Sequence, residues 1–206
     1  MYLIFDTETT GLPKNWKAKM TDLDNWPRVI ELAFQVYDKD KKLIHSYVTL
    51  IKPDGWEVPD YQHFIKKGLN PVMAEKESKF WVDNGFTNER NSKEGISMKD
   101  ALKHFAEWND KCEYLIAHNI SYDYNVLGAE FIRYGVSCKK KLKQICTKDT
   151  TTDFCNIIGK YGKKWPTLNE LHEKLFNEKM EDAHKADVDV AYNAKCFFEA
   201  VERKII

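Results

Sequence analysis

Asp6 and Glu8 stand two residues apart at the end of the apolar run that opens the chain, in IFDTETTGLP (residues 4–13). On a strand, residues i and i+2 point to one face, so the two carboxylates project together. Like charges side by side repel, and a divalent cation between them resolves the conflict. Two more acids sit where they could join the pair. Asp123 follows the YLIAHN segment and falls in the first turn of the next helical stretch, and Asp189 lies in HKADVDV near the start of the last one. His184 precedes Asp189 by five residues. On a regular helix that separation is a rotation of roughly 140°, so both face one site only if His184 lies in the loop before the helix. Hard oxygen ligands without partner thiols suit Mg²⁺ or Mn²⁺ better than Zn²⁺. Two such ions about 3.5–4 Å apart clamp the attacking and leaving oxygens of a phosphodiester. A histidine titrating near neutrality could then take the proton of the attacking water. Taken singly, each residue has an ordinary reading. An Asp at a helix start caps it, a histidine packs or is solvated, and strand ends carry solvated acids.

The elements that must position these groups are legible as patterns. Met1 to Phe5 reads as a short strand buried on both faces, with the carboxylates at its C-terminal end. From Val29 to Tyr37, Ile30, Leu32, Phe34 and Val36 alternate with Glu31, Ala33, Gln35 and Tyr37, and Leu43 to Ile51 is β-rich; only DKDKK separates the two, which predicts a hairpin. SMKD at Ser97–Asp100 opens a helix with Leu102, Phe105, Ala106 and Trp108 at helical spacing, leading into a YLIA strand. Tyr122 to Tyr134 reads as helix, TLNE at Thr167–Glu170 is a capping-box pattern opening a helix through Phe176, and the last helix runs from about Lys185 to Arg203. The order argues for an α/β sheet of mixed direction. Between Lys52 and Gly95, prolines, glycines and charges mark an irregular connection with room for short helical pieces.

The whole fits one domain of 206 residues, with 43% hydrophobic and 31% charged residues. Lys plus Arg is 32 and Asp plus Glu is 32, so there is no bulk attraction to a polyanion or an acidic membrane, and any such partner is gripped locally. The strongest basic clusters are Lys139–Lys143 and Lys160–Trp165, either solvated surface or flanks of a strand's path. His118 and Asn119 read as loop-holding hydrogen-bonders. Five widely spaced cysteines without a CxxC pair suggest reduced, mostly buried thiols. No apolar stretch approaches membrane-spanning length and Met1 begins in a strand-like run, so the expected location is cytoplasmic, without a signal peptide.

FDTETTGL, AHNISYDYNVL and HKADVD together resemble, in order and distance, the three motifs of the DnaQ-like (DEDDh) 3′-to-5′ exonucleases. The third has the HxAxxD form of the histidine subclass; the tyrosine subclass would place Tyr where Lys185 stands. The resemblance implies Asp6, Glu8, Asp123 and Asp189 as ligands of two ions and His184 as general base. It also implies an RNase H-like fold with a central five-stranded mixed sheet flanked by helices. CTKDTTTDFC and KWPTLNELHEKLF are similar to stretches between the second and third motifs of stand-alone members, so the likeness spans nearly the whole chain as a single exonuclease domain, 1–206. As substrate contacts it implies Thr7 and Thr9 beside the ligands and Leu12 as a wedge against the terminal base. Tyr122 offers an aromatic face for stacking, with core packing as its alternative. Where the family often has an HGIT-like motif this chain reads NGFT, with Asn84 in place of a substrate-contacting histidine; an amide can bond a phosphate or sugar but brings no positive charge.

The leading expectation is a metal-dependent 3′-to-5′ exonuclease acting on single-stranded 3′ ends, DNA before RNA, and releasing nucleoside 5′-monophosphates. An exoribonuclease, a metal-dependent phosphatase, and a non-catalytic nucleic-acid-binding or polymerase-associated module are the competing classes. The residues leave the oligomeric state open.

Overall fold

The computed structural model describes residues 1–181 and 185–206, so His184 lies outside the described residues. β1 (Tyr2–Thr9), β2 (Val29–Tyr37) and β3 (Leu43–Leu50) form an antiparallel meander. Three helices fill the irregular connection: α1 (Tyr61–Lys66), α2 (Pro71–Asp83) and α3 (Asn88–Glu94). α4 (Met98–Asn109), β4 (Tyr114–Ala117), α5 (Ile120–Tyr134) and β5 (Lys143–Cys146) follow. The short α6 (Thr147–Thr150) and α7 (Thr152–Cys155) lead to a small hairpin of β6 (Ile158–Gly159) and β7 (Gly162–Lys163). α8 (Leu168–Phe176) and α9 (Ala186–Glu202) complete the chain. The sheet order is β3-β2-β1-β4-β5, with β1, β4 and β5 mutually parallel: the five-stranded mixed sheet of an RNase H-like fold.

Side-chain alternation sorts the sheet into two packed faces. Leu3 and Phe5 of β1 join Leu32, Phe34 and Val36 of β2 against α4 and α5, through Leu102, Phe105, Val126 and Leu127. Ile4 and Ala33 face the other way, onto Ala186, Val190, Ala194 and Phe197 of α9. Asp6 and Glu8 continue the Ile4 parity and so project on the α9 side. β1 runs further than its apolar stretch suggests, because pairing with β2 carries on past Phe5 (Asp6 opposite Ala33, Glu8 opposite Glu31) to a register shift between Glu8 and Thr9. On its other edge β1 pairs with β4 only as far as Ile4 opposite Ile116. The carboxylates therefore stand where one neighbouring strand has ended, in the crevice at the C-terminal ends of parallel strands that α/β sheets use for ligands.

Local caps agree with the sequence. Thr167 accepts from Glu170 N (3.2 Å) while Glu170 Oε2 accepts from Thr167 N (2.8 Å), closing the capping box of α8. Ser97 accepts from Asp100 N at the head of α4. The DKDKK turn is closed by Asp38 Oδ1, which accepts from Asp40 N and Lys42 N (both 2.9 Å). The five cysteines are free thiols, four of them buried. No described helix is long and apolar enough to cross a membrane.

Parallel register also separates the two basic clusters. Lys143 lies opposite Tyr114, which lies opposite Tyr2, so Lys139–Lys143 sits at the end of the sheet away from the carboxylates. There Lys139 N and Lys140 N donate to Asp110 Oδ1, and Lys140 Nζ donates to the Cys112 carbonyl.

Candidate active site

Asp6, Glu8 and Asp189 offer carboxylate oxygens that all lie within 4.8 Å of one another. Three elements converge to make this group: β1 supplies two acids on one face, β2 aligns them, and the first turn of α9 supplies the third. Asp123 stands beside the trio on α5, 3% exposed, with its Oδ1 accepting from Thr7 Oγ1 (2.7 Å) and Thr7 N (3.2 Å). Thr7 has the opposite parity to Asp6 and Glu8, so its hydroxyl reaches α5 and fixes the Asp123 carboxylate from behind. Thr7 is itself buried.

The electrostatics are those of charges crowded in a dry place. Burial, and then the carboxylates of Asp123, Glu8, Asp189 and Glu31, hold the Asp6 carboxyl well above the usual range. Burial together with Asp189, Glu31 and Asp123 pushes Glu8 up to about 8. Burial lifts Asp123 to about 7 against the lowering effect of the Thr7 hydrogen bonds. Such a set binds protons or cations to become neutral. All its donors are hard oxygens without a thiol among them, which fits Mg²⁺ or Mn²⁺.

A cleft of about 340 Å³ opens next to Glu8, walled by Thr7, Thr9, Gly11, Leu12, Phe80, Trp81 and Tyr122. Leu12 is 73% exposed at its mouth. Tyr122 donates its hydroxyl to the Gly11 carbonyl (2.8 Å) and lies 2.6 Å from Thr9 Oγ1, which pins the turn after β1 to α5. Gly11 holds φ +147°, a conformation that disfavours a side chain, and so permits the turn that presents Leu12. Trp81 Nε1 donates to the Thr9 carbonyl (3.0 Å), bringing α2 against the same strand end. Behind the cleft, Glu130, 1% exposed, accepts from Arg28 Nε (2.8 Å) and Arg133 Nη1 (2.9 Å). Arg133 also donates to the Leu23 carbonyl and to that of Trp26 (2.7 Å), clamping the loop between β1 and β2 on α5. The loop approaches α5 at Gly128, where an added Cβ would meet Met20 Sδ at 2.1 Å.

The structure does not bring Asn84 to this cleft. It caps the C-terminus of α2, donates Nδ2 to the Phe80 carbonyl (2.7 Å), and lines a separate depression with Glu31, Arg90, Lys185 and Asp187. On the other side of the acids, Asp6 and Asp189 share a cleft of about 360 Å³ with His118, Thr167, Leu168, Asn169 and Met180. His118 is held by Thr147 Oγ1 at one nitrogen and the Pro166 carbonyl at the other (both 3.0 Å), and burial lowers it to about 4. It ties loops together as a neutral ring.

Sequence reasoning missed Glu31, reading it as one polar residue of an alternating strand. It is 8% exposed, lies opposite Glu8, and its Oε2 accepts from Ala186 N (3.0 Å), capping α9, whose own N-cap residue Lys185 makes no side-chain cap bond. Glu31 thus fixes the helix that carries Asp189 and adds negative field to Asp6 and Glu8. The signal available was an acid inside a core strand, in register with the motif acid. Glu31→Gln keeps an acceptor for Ala186 but removes the charge, so metal affinity, measured by calorimetry with Mn²⁺, is expected to fall roughly 10-fold. Glu31→Ala is expected also to lower stability by about 1 kcal/mol through the lost cap.

No curated protein matches the chain. Among solved structures, Escherichia coli exonuclease I in complex with a dT13 oligonucleotide is similar at 17% identity and TM-score 0.62, over 98% of this chain and 40% of that one. Exonuclease I from the moderately thermophilic Methylocaldum szegediense is similar at 17% identity and TM-score 0.61, over 98% and 40%. At this identity the likeness is one of fold, and the chain spans about two fifths of these proteins' length. The family model RNase_T, described as Exonuclease, matches residues 3–197. With that match over almost the full length, the chain belongs to the RNase T exonuclease family, DnaQ-like members of the RNase H-like superfamily.

Proposed function

We propose that the enzyme removes nucleotides from the 3′ end of single-stranded DNA and releases nucleoside 5′-monophosphates. The observation that carries this reading is the juxtaposition of the Asp6–Glu8–Asp189 group with a cleft of terminal-nucleotide size walled by Leu12, Tyr122 and Trp81. The DNA preference draws on the likeness to exonuclease I, whose structure was solved with dT13.

In this reading Asp6, Glu8, Asp123 and Asp189 would hold two divalent ions. Such ions, when bound, neutralise charge on the phosphodiester and make a bound water more acidic. The chain's own residues do the rest. Leu12 presses on the terminal base, Tyr122 and Trp81 bound the space beside it, and the Thr9–Tyr122–Gly11 bonds keep that wall rigid. Thr7 fixes the orientation of Asp123. His184 takes the proton of the attacking water on a ring nitrogen, and the leaving 3′-oxygen is reprotonated from solvent.

Matched DNA and RNA oligonucleotides labelled at the 3′ or the 5′ end test the proposal. With Mg²⁺, 3′-labelled DNA is expected to give labelled mononucleotide at once, while 5′-labelled DNA gives a descending ladder. Mononucleotide first from the 5′ label would reverse the polarity, faster digestion of RNA would change the polymer, and release of inorganic phosphate alone would make the enzyme a phosphatase.

A further inference from the structure

The hairpin after α7 carries aromatic rings that the core does not use. Tyr161, between β6 and β7, is 92% exposed, and Trp165, just past β7, is 64% exposed. Single exposed hydrophobics are ordinary, but these two each have a cation on the ring. Lys160 Nζ lies 5.3 Å from the Tyr161 centroid and Lys148 Nζ lies 4.5 Å from that of Trp165. The hairpin is also continuous with the candidate active site. Pro166, next to Trp165, is bonded through its carbonyl to His118, and Thr167 lines the cleft that holds Asp6 and Asp189. Lys148 donates to Asn119 Oδ1 (2.6 Å) at the head of α5, the helix that carries Asp123.

Charge alone does not explain the surface. Of the lysines at and beside the hairpin, Lys163 is paired with Asp153 (2.8 Å), Lys164 with Glu170 (2.6 Å) and Lys148 with Asp149 (4.0 Å), so the local excess of positive charge is small. What remains is a pair of rings with a modest positive accompaniment, contiguous with the cleft on the far side of Asp6 and Asp189 from the one that takes the terminal nucleotide in the proposed function. Stacking platforms with sparse lysines are how proteins hold single strands without reading sequence.

We propose that the β6–β7 hairpin is the platform for single-stranded DNA on the 5′ side of the scissile bond, with bases stacked on Trp165 and Tyr161 and a phosphate met by Lys160. This rests on the exonuclease reading and adds to it a second contact zone that only longer substrates reach. Substrate length then becomes a determinant of affinity. Removing the two rings leaves the lysine contact in place, so the salt dependence of binding stays nearly unchanged while affinity falls.

The test compares the wild type with the Tyr161→Ala/Trp165→Ala double variant on dT12 and on thymidine 5′-(p-nitrophenyl phosphate), which is too short to reach the hairpin. The expected result is a KM for dT12 raised about 10-fold or more, with kcat for dT12 and all constants for the short ester unchanged. Tyr161→Phe/Trp165→Phe is expected to restore most of the affinity, since it keeps both faces. An unchanged KM for dT12, or an equal loss on both substrates, would overturn the proposal. If the wild type hydrolyses neither substrate, the exonuclease reading fails, and the platform is read separately from the fluorescence anisotropy of labelled dT12 in EDTA. Weaker binding by the double variant there supports the platform; equal binding overturns it.

Discussion

Glu8→Gln is expected to give a protein that is more stable than the wild type and nearly inactive. The two effects have one cause. Glu8 is packed among Asp189, Glu31 and Asp123 and pushed up to about 8 by burial and their charge, so the metal-free fold carries a repulsion that the unfolded chain does not. The sign follows from proton linkage: between the ordinary carboxylate range and about pH 8, the folded state retains protons that the unfolded state has released. The contribution of Glu8 to the stability of the metal-free wild type therefore falls as pH rises from about 4.5 to about 8. The neutral amide removes that slope at its own position. Discounted for the part of the carboxylate that reaches solvent, the gain at pH 8 is about 5 °C in Tm, shrinking towards zero near pH 4.5. Turnover is expected to drop about 10³-fold, because several kcal/mol of transition-state stabilisation go with the lost ligand. Mg²⁺ should raise the wild-type Tm most at the alkaline end, where the acids are ionised, and raise that of Glu8→Gln much less. Thermal denaturation in EDTA and in MgCl₂ across this pH range, beside initial rates, checks all of it. A variant with wild-type turnover, or one less stable than wild type in EDTA at pH 8, would contradict the assignment of Glu8 as a ligand in a strained acidic group.

The sheet and the acids were legible in the sequence for different reasons. The β2–β3 hairpin announced itself through two β-rich runs joined by a short charged turn, and α4, α5, α8 and α9 because each buries one face, which leaves a period in the sequence, and because Ser97 and Thr167 start their helices with recognisable side-chain caps. β5 left no such trace: KQIC is four residues at a sheet edge and takes its strand character from pairing with β4. α1 to α3 were hidden in a stretch rich in charge and proline, where Asp60, Asn70 and Thr87 supply the caps but few apolar residues are buried. At the site, the parity of Asp6 and Glu8 was readable from spacing alone. The roles of Thr7, Glu31 and Trp81 were not, since each depends on a partner 72 to 155 residues away: Asp123, Ala186 and Thr9. Asn84 shows a different case, a motif position that the structure places at the end of α2, where one amide N–H donates to the Phe80 carbonyl.

His184→Ala is expected to keep the metal and the substrate while losing the rate. A general base contributes about 10²–10⁴-fold by accepting a proton in the transition state, and it holds neither ion nor strand. Asp189→Ala, by contrast, removes one of three clustered anions and is expected to weaken metal binding and turnover together. His118 offers no substitute: both its ring nitrogens are bonded and burial lowers it to about 4. If His184 is the base, the wild-type rate falls as pH drops through the range of an ordinary histidine, about 6 to 7, and the His184→Ala rate lacks that fall. Single-turnover rates against pH at saturating Mg²⁺ are the measurement, because saturation keeps loss of metal from the acids from imitating protonation of the base. The two profiles should converge at low pH, where the wild-type imidazole is already charged and contributes nothing as a base. A His184→Ala enzyme with a near wild-type rate at neutral pH, or one whose profile keeps the acid limb, would remove His184 from the proton transfer and leave water activation to the carboxylate-held ions alone.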